Sequence, residues 1–427
     1  MPAVAADLTI SSRWIVPMTS PHEVLENYTL VVRDGRILDL LPQPQAADRY
    51  AATIHVDRSE HLVLPGLVNA YTQIAPPLGR TTRPERLHDG ALSCIAEMLR
   101  AGTTCFCGLG YFPEESARTA AEQGMRALIG IPIAETASPW AQSPGEYLTR
   151  ALSFRDEYRG HPTIATAFAP HLPAAISDIT FGRIATLADE LDTGILIALH
   201  ESPAEVEDCV LRHGVRPIER MQALGLLTPA LSAVHMVDVN SADIALAQRS
   251  GIAVTLCPES NFRSGYGPPP VASWAATGVR LGLGSGISEP AGGLDLWSEL
   301  RLLALLSHAP GAVHAALRAW DALAIATRGG AAALGLDAEI GTLERGKWAD
   351  LCCVDMSTPA MQGACASQPH DPVARMVFNG GRDMVSDVWV SGRHLLNGGA
   401  FTRLDWPQIA ARTKASHAVH ERTYSGE

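Results

Sequence analysis

The sequence contains no apolar run of about 18 residues, the length a helix needs to cross a bilayer. Its first residues, MPAVAADLTISSRWIVPM, do not join a charged segment to an apolar one, so no secretory leader is expected and the cytoplasm is the default location. Cationic residues are outnumbered: 33 Lys and Arg against 45 Asp and Glu give a net charge of −12, with no basic stripe. Nucleic acid is therefore not an expected partner, and neither is a membrane. The eight cysteines are scattered. Cys105-Phe106-Cys107 has no second pair at a zinc-site distance, so buried free thiols are expected. Internal repeats and low-complexity segments are missing too. No glycine-rich fingerprint follows an early strand, which argues against an open dinucleotide-binding sheet.

What is present is 427 residues, 47% of them hydrophobic, enough for a large core. The first sixty residues read as short strands: Leu8–Met18, Thr29–Val32, Ile37–Leu41 and Thr53–Val56, with Asp34-Gly35 as a hairpin signal. From residue 61 eight apolar runs alternate with amphipathic stretches. The runs are Leu62–Asn69, Thr103–Gly108, Ala127–Ile131, Thr163–Ala169, Gly194–Leu199, Leu231–Val234, Ala253–Cys257 and Arg280–Gly284. Helical patterns follow at Ala91–Ala101, Glu114–Gln123, Phe181–Leu191, Ala242–Ser250 and Val313–Ala324. Strands buried on both faces and alternating with helices predict a parallel sheet, and eight of them match a (β/α)8 barrel. Short strands return after about residue 345, at Asp350–Val354, Met376–Phe378 and Asp387–Val390, before a last helix near Trp406–His417. The predicted fold is thus α/β: a TIM-type barrel over 61–345, beside a small composite β-sandwich built from residues 1–60 and 346–427.

In such a barrel the chemistry sits at the C-terminal ends of the strands. The first run leads into Pro65-Gly66-Leu67-Val68-Asn69-Ala70, then Tyr71-Thr72-Gln73. Later runs end at Pro170-His171, His200-Glu201-Ser202, Val234-His235-Met236, Cys257-Pro258-Glu259-Ser260-Asn261 and Gly284-Ser285-Gly286. These motifs, with Ala333-Leu334-Gly335-Leu336-Asp337 and Ala349-Asp350-Leu351, resemble the amidohydrolase superfamily. The resemblance is to its TRZ/ATZ branch, which holds the 5-methylthioadenosine/S-adenosylhomocysteine deaminases and the triazine hydrolases.

The resemblance implies a divalent metal, zinc or another, that activates a water for attack on a heterocycle carbon. It implies four ligands: an H-x-H after strand one, a histidine on strand five and an aspartate after strand eight. Those positions here are Tyr71 and Gln73, Ala198, and Gly286. Ala198 and Gly286 offer no donor, and Tyr71 would bind only as a phenolate against an ordinary pKa of about 10. The expectation is that the metal ligands are replaced and no cofactor is used. The segment from Gly79 through Arg83 and Glu85 to the helix at Ala91 is also shorter than the family's covering loop.

Other family positions survive. Glu201 matches the proton-shuttling glutamate and His235 the histidine that polarises the reacting centre, so both are expected to be catalytic. His171 matches a substrate-binding histidine, with Tyr71, Gln73 and Glu259 as further substrate contacts. His200 should point outward by alternation, and Arg263 reads as a solvated loop charge. Cys257 would be a nucleophile only beside a base that lowers its pKa. A relocated metal site would draw on His88, His171, Glu201 and His235.

The expected function is hydrolysis or deamination of C–N bonds in purine-like or triazine-like rings, weakened or altered by the lost ligands. The alternative is an inactive relative that binds a nucleoside-like small molecule or serves as a partner subunit. Association with a second copy, or with a catalytic paralogue, is expected in that role.

Overall fold

A computed structural model describes residues 3–74, 84–171, 173–286, 293–308, 314–362 and 371–414. Eight parallel strands close into a barrel: Leu67–Gln73, Thr103–Leu109, Arg126–Ile133, Ile164–Pro170, Gly194–Leu199, Leu231–His235, Ala253–Leu256 and Arg280–Leu283. The third strand is buried along its whole length, as a strand covered on both faces must be. Proline at the start and glycine at the end frame the connecting helices: Pro113–Gln123 closes on Gly124, and Pro203–His213 on Gly214. Both glycines are left-handed. Among the described residues no helix is long and apolar enough to cross a membrane.

Beside the barrel lies one mixed sheet of eight strands from both ends of the chain. Its order is Ala400–Phe401, Arg393–Asn397, Val385–Val390, Leu351–Asp355, Tyr50–Pro65, Val4–Ile15, Leu25–Arg33 and Arg36–Pro42. The two chain ends meet in its middle, where Leu351–Asp355 runs antiparallel to Tyr50–Pro65. The Asp34-Gly35 hairpin is as expected, with both residues left-handed.

Three sequence expectations fail here. The run from Leu62 divides at Gly66: Leu62–Pro65 completes the long sheet strand, and the first barrel strand begins at Leu67. A Cβ at Gly66 would overlap the Thr104 side chain, so the chain passes between layers only as glycine. Met376–Phe378 is helix, not strand. Asp371 caps the helix Pro372–Asn379 by accepting the N–H groups of Val373 and Ala374. Val373, Met376 and Val377 then share its buried face, a helical spacing whose apolar residues also satisfy a short strand pattern. The stretch from Val313 is helical only from Ala319; Val313 itself lies outside the described residues.

Sheet and barrel are joined by a buried ion pair. Arg126 Nε lies 2.6 Å from Asp350 Oδ2, and Arg126 Nη2 donates to Asp350 Oδ1 at 3.2 Å and to Ser391 Oγ at 2.8 Å. Asp350 also accepts the Ser391 N–H at 2.7 Å. Both side chains are almost wholly buried, at 6% and 1% exposure.

Candidate functional site

The mouth is shaped first by how the barrel closes. Strand eight pairs with strand one at Leu283 and Asn69, and an isolated bridge joins Thr72 to Gly286. Side chains complete the join. Asn69 Nδ2 donates to Ser285 Oγ at 2.8 Å, Ser285 N–H donates to Asn69 Oδ1 at 3.0 Å, and Ser285 Oγ donates to Thr72 at 3.0 Å. Gly284 must be glycine, since a Cβ would stand 2.7 Å from the Tyr71 carbonyl oxygen.

Gly286 donates its N–H to the Tyr71 carbonyl at 3.0 Å and sits at φ +69°. A Cβ there would overlap the Cβ and Oγ of Ser260. Gly286→Ala is therefore expected to cost about 1–2 kcal/mol for the left-handed backbone and about 1–3 more for overpacking. Urea midpoints check this. Ser260→Gly should recover the packing part and not the backbone part, and an unchanged midpoint in Gly286→Ala would refute the account.

Strand five carries its functional side chains just past its end. His200 is fully buried and points outward, as alternation predicts. Its Nδ1–H donates to the Asp238 carbonyl at 2.9 Å, and its Nε2 accepts the Ile218 N–H at 3.1 Å. It is a structural clip between loops. Glu201 faces the other way and lies within the electrostatic reach of Tyr71, His171, His235, Cys257 and Tyr266.

His235 ends strand six at φ +74°, followed by Met236 at +47°. Two consecutive left-handed residues with side chains store strain, of order 1–3 kcal/mol each. The surroundings hold them: Met236 N–H donates to the Leu199 carbonyl at 3.1 Å, and Trp274 Nε1–H donates to the Met236 carbonyl at 3.2 Å. Burial lowers the His235 pKa, opposed by Glu201, so its ring is neutral at pH 7. The Tyr71 ring stands edge-on to it, centroids 5.6 Å apart.

The remaining expected residues divide. His171 is exposed at the rim, with Tyr111 edge-on at 6.0 Å. Gln73 ends strand one, half-buried, paired with Leu109. Glu259 is drawn away: its carboxylate is tied to Arg263 and accepts from Ser298 Oγ at 2.9 Å. This also settles Arg263 as a local charge partner. His88 leaves the cluster as well, its Nδ1 lying 3.0 Å from Thr119 Oγ1 on the next helix. Burial pushes the Cys257 thiol well above its ordinary range, the reverse of an activated nucleophile. Of the shortened covering segment, residues 79–83 lie outside the described residues, and 84–90 already belong to the helix Pro84–Arg100, which starts before Ala91.

Three contributors were not foreseen. Tyr266 stands beside Glu201, in a Gly265-Tyr266-Gly267 loop whose glycines were the available signal. Asn261 touches His235. Glu205, one helical turn past Glu201, accepts the Glu201 N–H at 2.9 Å. Burial pushes the Glu205 carboxyl up to about 7, against that N–H and with the Glu201 charge. A carboxyl raised in the folded state stabilises below its unfolded pKa, and that contribution is lost as pH rises through the folded value. Between about pH 5 and about pH 8 the protein should lose stability on this account, and Glu205→Gln should flatten the slope. Urea midpoints at the two pH values test it, and parallel slopes in both proteins would refute it.

Comparison with known proteins adds the relationship. Residues 62–395 match the amidohydrolase family. The chain is 34% identical to the 5-methylthioadenosine/S-adenosylhomocysteine deaminase of Teredinibacter turnerae, covering 95% of this chain and 96% of that one. It is 33% identical to the protein of that name from Saccharophagus degradans, covering 96% of each. An adenosine deaminase from Xanthomonas campestris, solved with bound zinc, is 35% identical, with a TM-score of 0.91 over 97% of this chain and 98% of that one. An atrazine chlorohydrolase mutant from Arthrobacter aurescens, solved with zinc and atraton, shares the fold at 20% identity and a TM-score of 0.86, over 96% of this chain and 99% of that one.

The Xanthomonas structure overturns the expectation that no cofactor is used: that relative, at 35% identity, holds zinc, and a metal is the cofactor to which the relationship points. Three of the four positions, 71, 198 and 286, do not themselves fit one, and Gln73 offers only a neutral amide oxygen. Tyr71 is buried with its pKa driven further up, mainly by desolvation, which disfavours the phenolate. Ala198 has no donor atom, and the space beside Gly286 is filled by Ser260. Among the described residues no three His, Cys, Asp or Glu side chains gather as a metal would need.

Proposed function

Since the chain belongs to the amidohydrolase family, we propose that its barrel mouth binds a purine-nucleoside-like heterocycle and hydrolyses an exocyclic C–N bond on it, releasing ammonia. The observation that supports this reading is that Glu201 lies within electrostatic reach of a neutral, buried His235 whose ring meets Tyr71 edge-on. Glu201 takes one proton of the attacking water and gives it to the ring nitrogen; it then passes the hydroxyl proton of the adduct to the amine, which leaves as ammonia as the C–N bond breaks and the C=O bond forms. The Nε2 of His235 accepts a hydrogen bond from the water or from the ring edge as charge develops. Tyr71, Gln73 and His171 line the approach and orient the ring, and Tyr266 supports Glu201. General acid/base groups contribute about 10²–10⁴-fold to such a reaction.

A second reading is favoured by Ala198 and by the closure of Gly286 against Ser260: a protein that binds the nucleoside and does not turn it over. One experiment separates them. Ammonia release from methylthioadenosine, S-adenosylhomocysteine and adenosine is measured alongside calorimetric binding and the metal content of the same preparation. Turnover supports the first reading. Tight binding without turnover supports the second, and neither binding nor turnover refutes both.

A further inference from the structure

The short helix Pro258–Arg263, which follows barrel strand seven, carries a residue that touches both halves of the site. Asn261 is completely buried, and its Oδ1 lies 2.7 Å from His235 Nδ1. An amide oxygen only accepts, so the imidazole proton sits on Nδ1. His235 Nε2 is then a bare acceptor, and among the described residues it is buried with no protein partner. A buried acceptor left without a partner costs free energy of the order of a lost hydrogen bond, which a bound ligand would recover. The backbone carbonyl of Asn261 accepts the Tyr266 N–H at 2.9 Å, which sets Tyr266 where it meets Glu201.

The helix is itself clamped. Glu299, 1% exposed, accepts the Glu259 N–H on Oε2 at 2.9 Å. Asn261 N–H returns to the Cys257 carbonyl at 3.0 Å. The amide thus stands on a fixed platform, and its oxygen faces the ring as a rigid reference point.

We infer that Asn261 is the positioning residue of this site: its side chain holds His235 as the Nδ1–H tautomer, and its backbone holds Tyr266 against Glu201. The ligand class follows. The group that meets His235 must donate an N–H or O–H to Nε2, as an exocyclic amine, a protonated ring nitrogen or a water does. The ligand part rests on the function proposed above, whereas the tautomer is a property of the protein alone.

The test reads the tautomer directly. Full-length protein with ¹⁵N-labelled histidine is examined by long-range ¹⁵N–¹H correlation, and His235 is assigned by its loss in His235→Asn. The wild type is expected to show a protonated Nδ1 and a bare Nε2. Asn261→Asp, which keeps an acceptor in place, should retain that pattern, while Asn261→Leu should convert it to a mixture of tautomers. Adenosine, if bound, should bind Asn261→Leu about tenfold more weakly, the equivalent of one hydrogen bond. A wild type protonated on Nε2 would overturn the inference, as would a folded Asn261→Leu with an unchanged pattern. Should Asn261→Leu fail to fold, the wild type and Asn261→Asp spectra still decide it. Failure of ammonia release would count against the proposed function and leave the tautomer result standing.

Discussion

Replacing Arg126 with alanine is expected to lower folding stability by about 3–5 kcal/mol, and Asp350→Ala by a similar amount. The charges lie at 6% and 1% exposure, so truncating either partner strands an unpaired charge away from water. Asp350→Ala loses more than one bond, because the carboxylate also fixes the Ser391 N–H. The Arg126 guanidinium further lies 5.6 Å from the Trp348 ring. Replacing both partners together by apolar residues of similar volume should cost much less than the sum of the single changes, because no charge is then stranded. Urea unfolding followed by circular dichroism, arranged as a double-mutant cycle, measures this. Single variants within 1 kcal/mol of wild type would show that the pair does not join sheet to barrel in the way described.

The second large effect concerns turnover. Glu201→Gln and His235→Asn are each expected to reduce ammonia release by about 10²–10⁴-fold, with the fold retained. Glutamine keeps the size and polarity of Glu201 and removes its ability to take a proton. Asparagine tolerates the left-handed backbone at residue 235, so the change removes the ring without adding strain. Groups that act as one unit are not additive, so the double variant should fall little below the poorer single one. Steady-state rates with methylthioadenosine, beside melting curves for each variant, give the answer. Full activity in Glu201→Gln would remove it from the mechanism.

Much of this was legible in the sequence because it depends on local pattern. Eight apolar runs, a left-handed Asp-Gly hairpin and strand-end motifs fix the barrel, the sheet edge, and the places of Glu201 and His235. Alternation alone placed His200 on the outside, where the Ile218 and Asp238 backbone groups occupy both its nitrogens. The errors have particular causes. Apolarity does not tell strand from the buried face of a helix at Met376–Phe378, although Asp371-Pro372 ahead of it was a start signal. Leu62–Pro65 and Leu67–Gln73 form one apolar stretch, and only the packing of Gly66 on Thr104 divides them between two sheets. Glu259 was placed in the cavity, yet its i,i+4 spacing to Arg263 already spelled an ion pair along the helix surface. Asn261 and Tyr266 could not be given roles, because each acts on a residue that only the fold brings near. The cofactor expectation failed for another reason: donor types at four positions say what those positions offer, and a solved relative carries zinc.

The closure between strands eight and one has a consequence for how this mouth changes over evolutionary time. Backbone pairing there is reduced to one laddered pair and one bridge, and three side chains, Asn69, Ser285 and Thr72, carry the rest. Peptide groups are common to every sequence and cannot be altered by a codon, but side chains can. The tightness of this seam is therefore heritable, and the seam includes the Gly286–Tyr71 bond. Substitutions along it can widen or narrow the entrance while every other strand keeps its register.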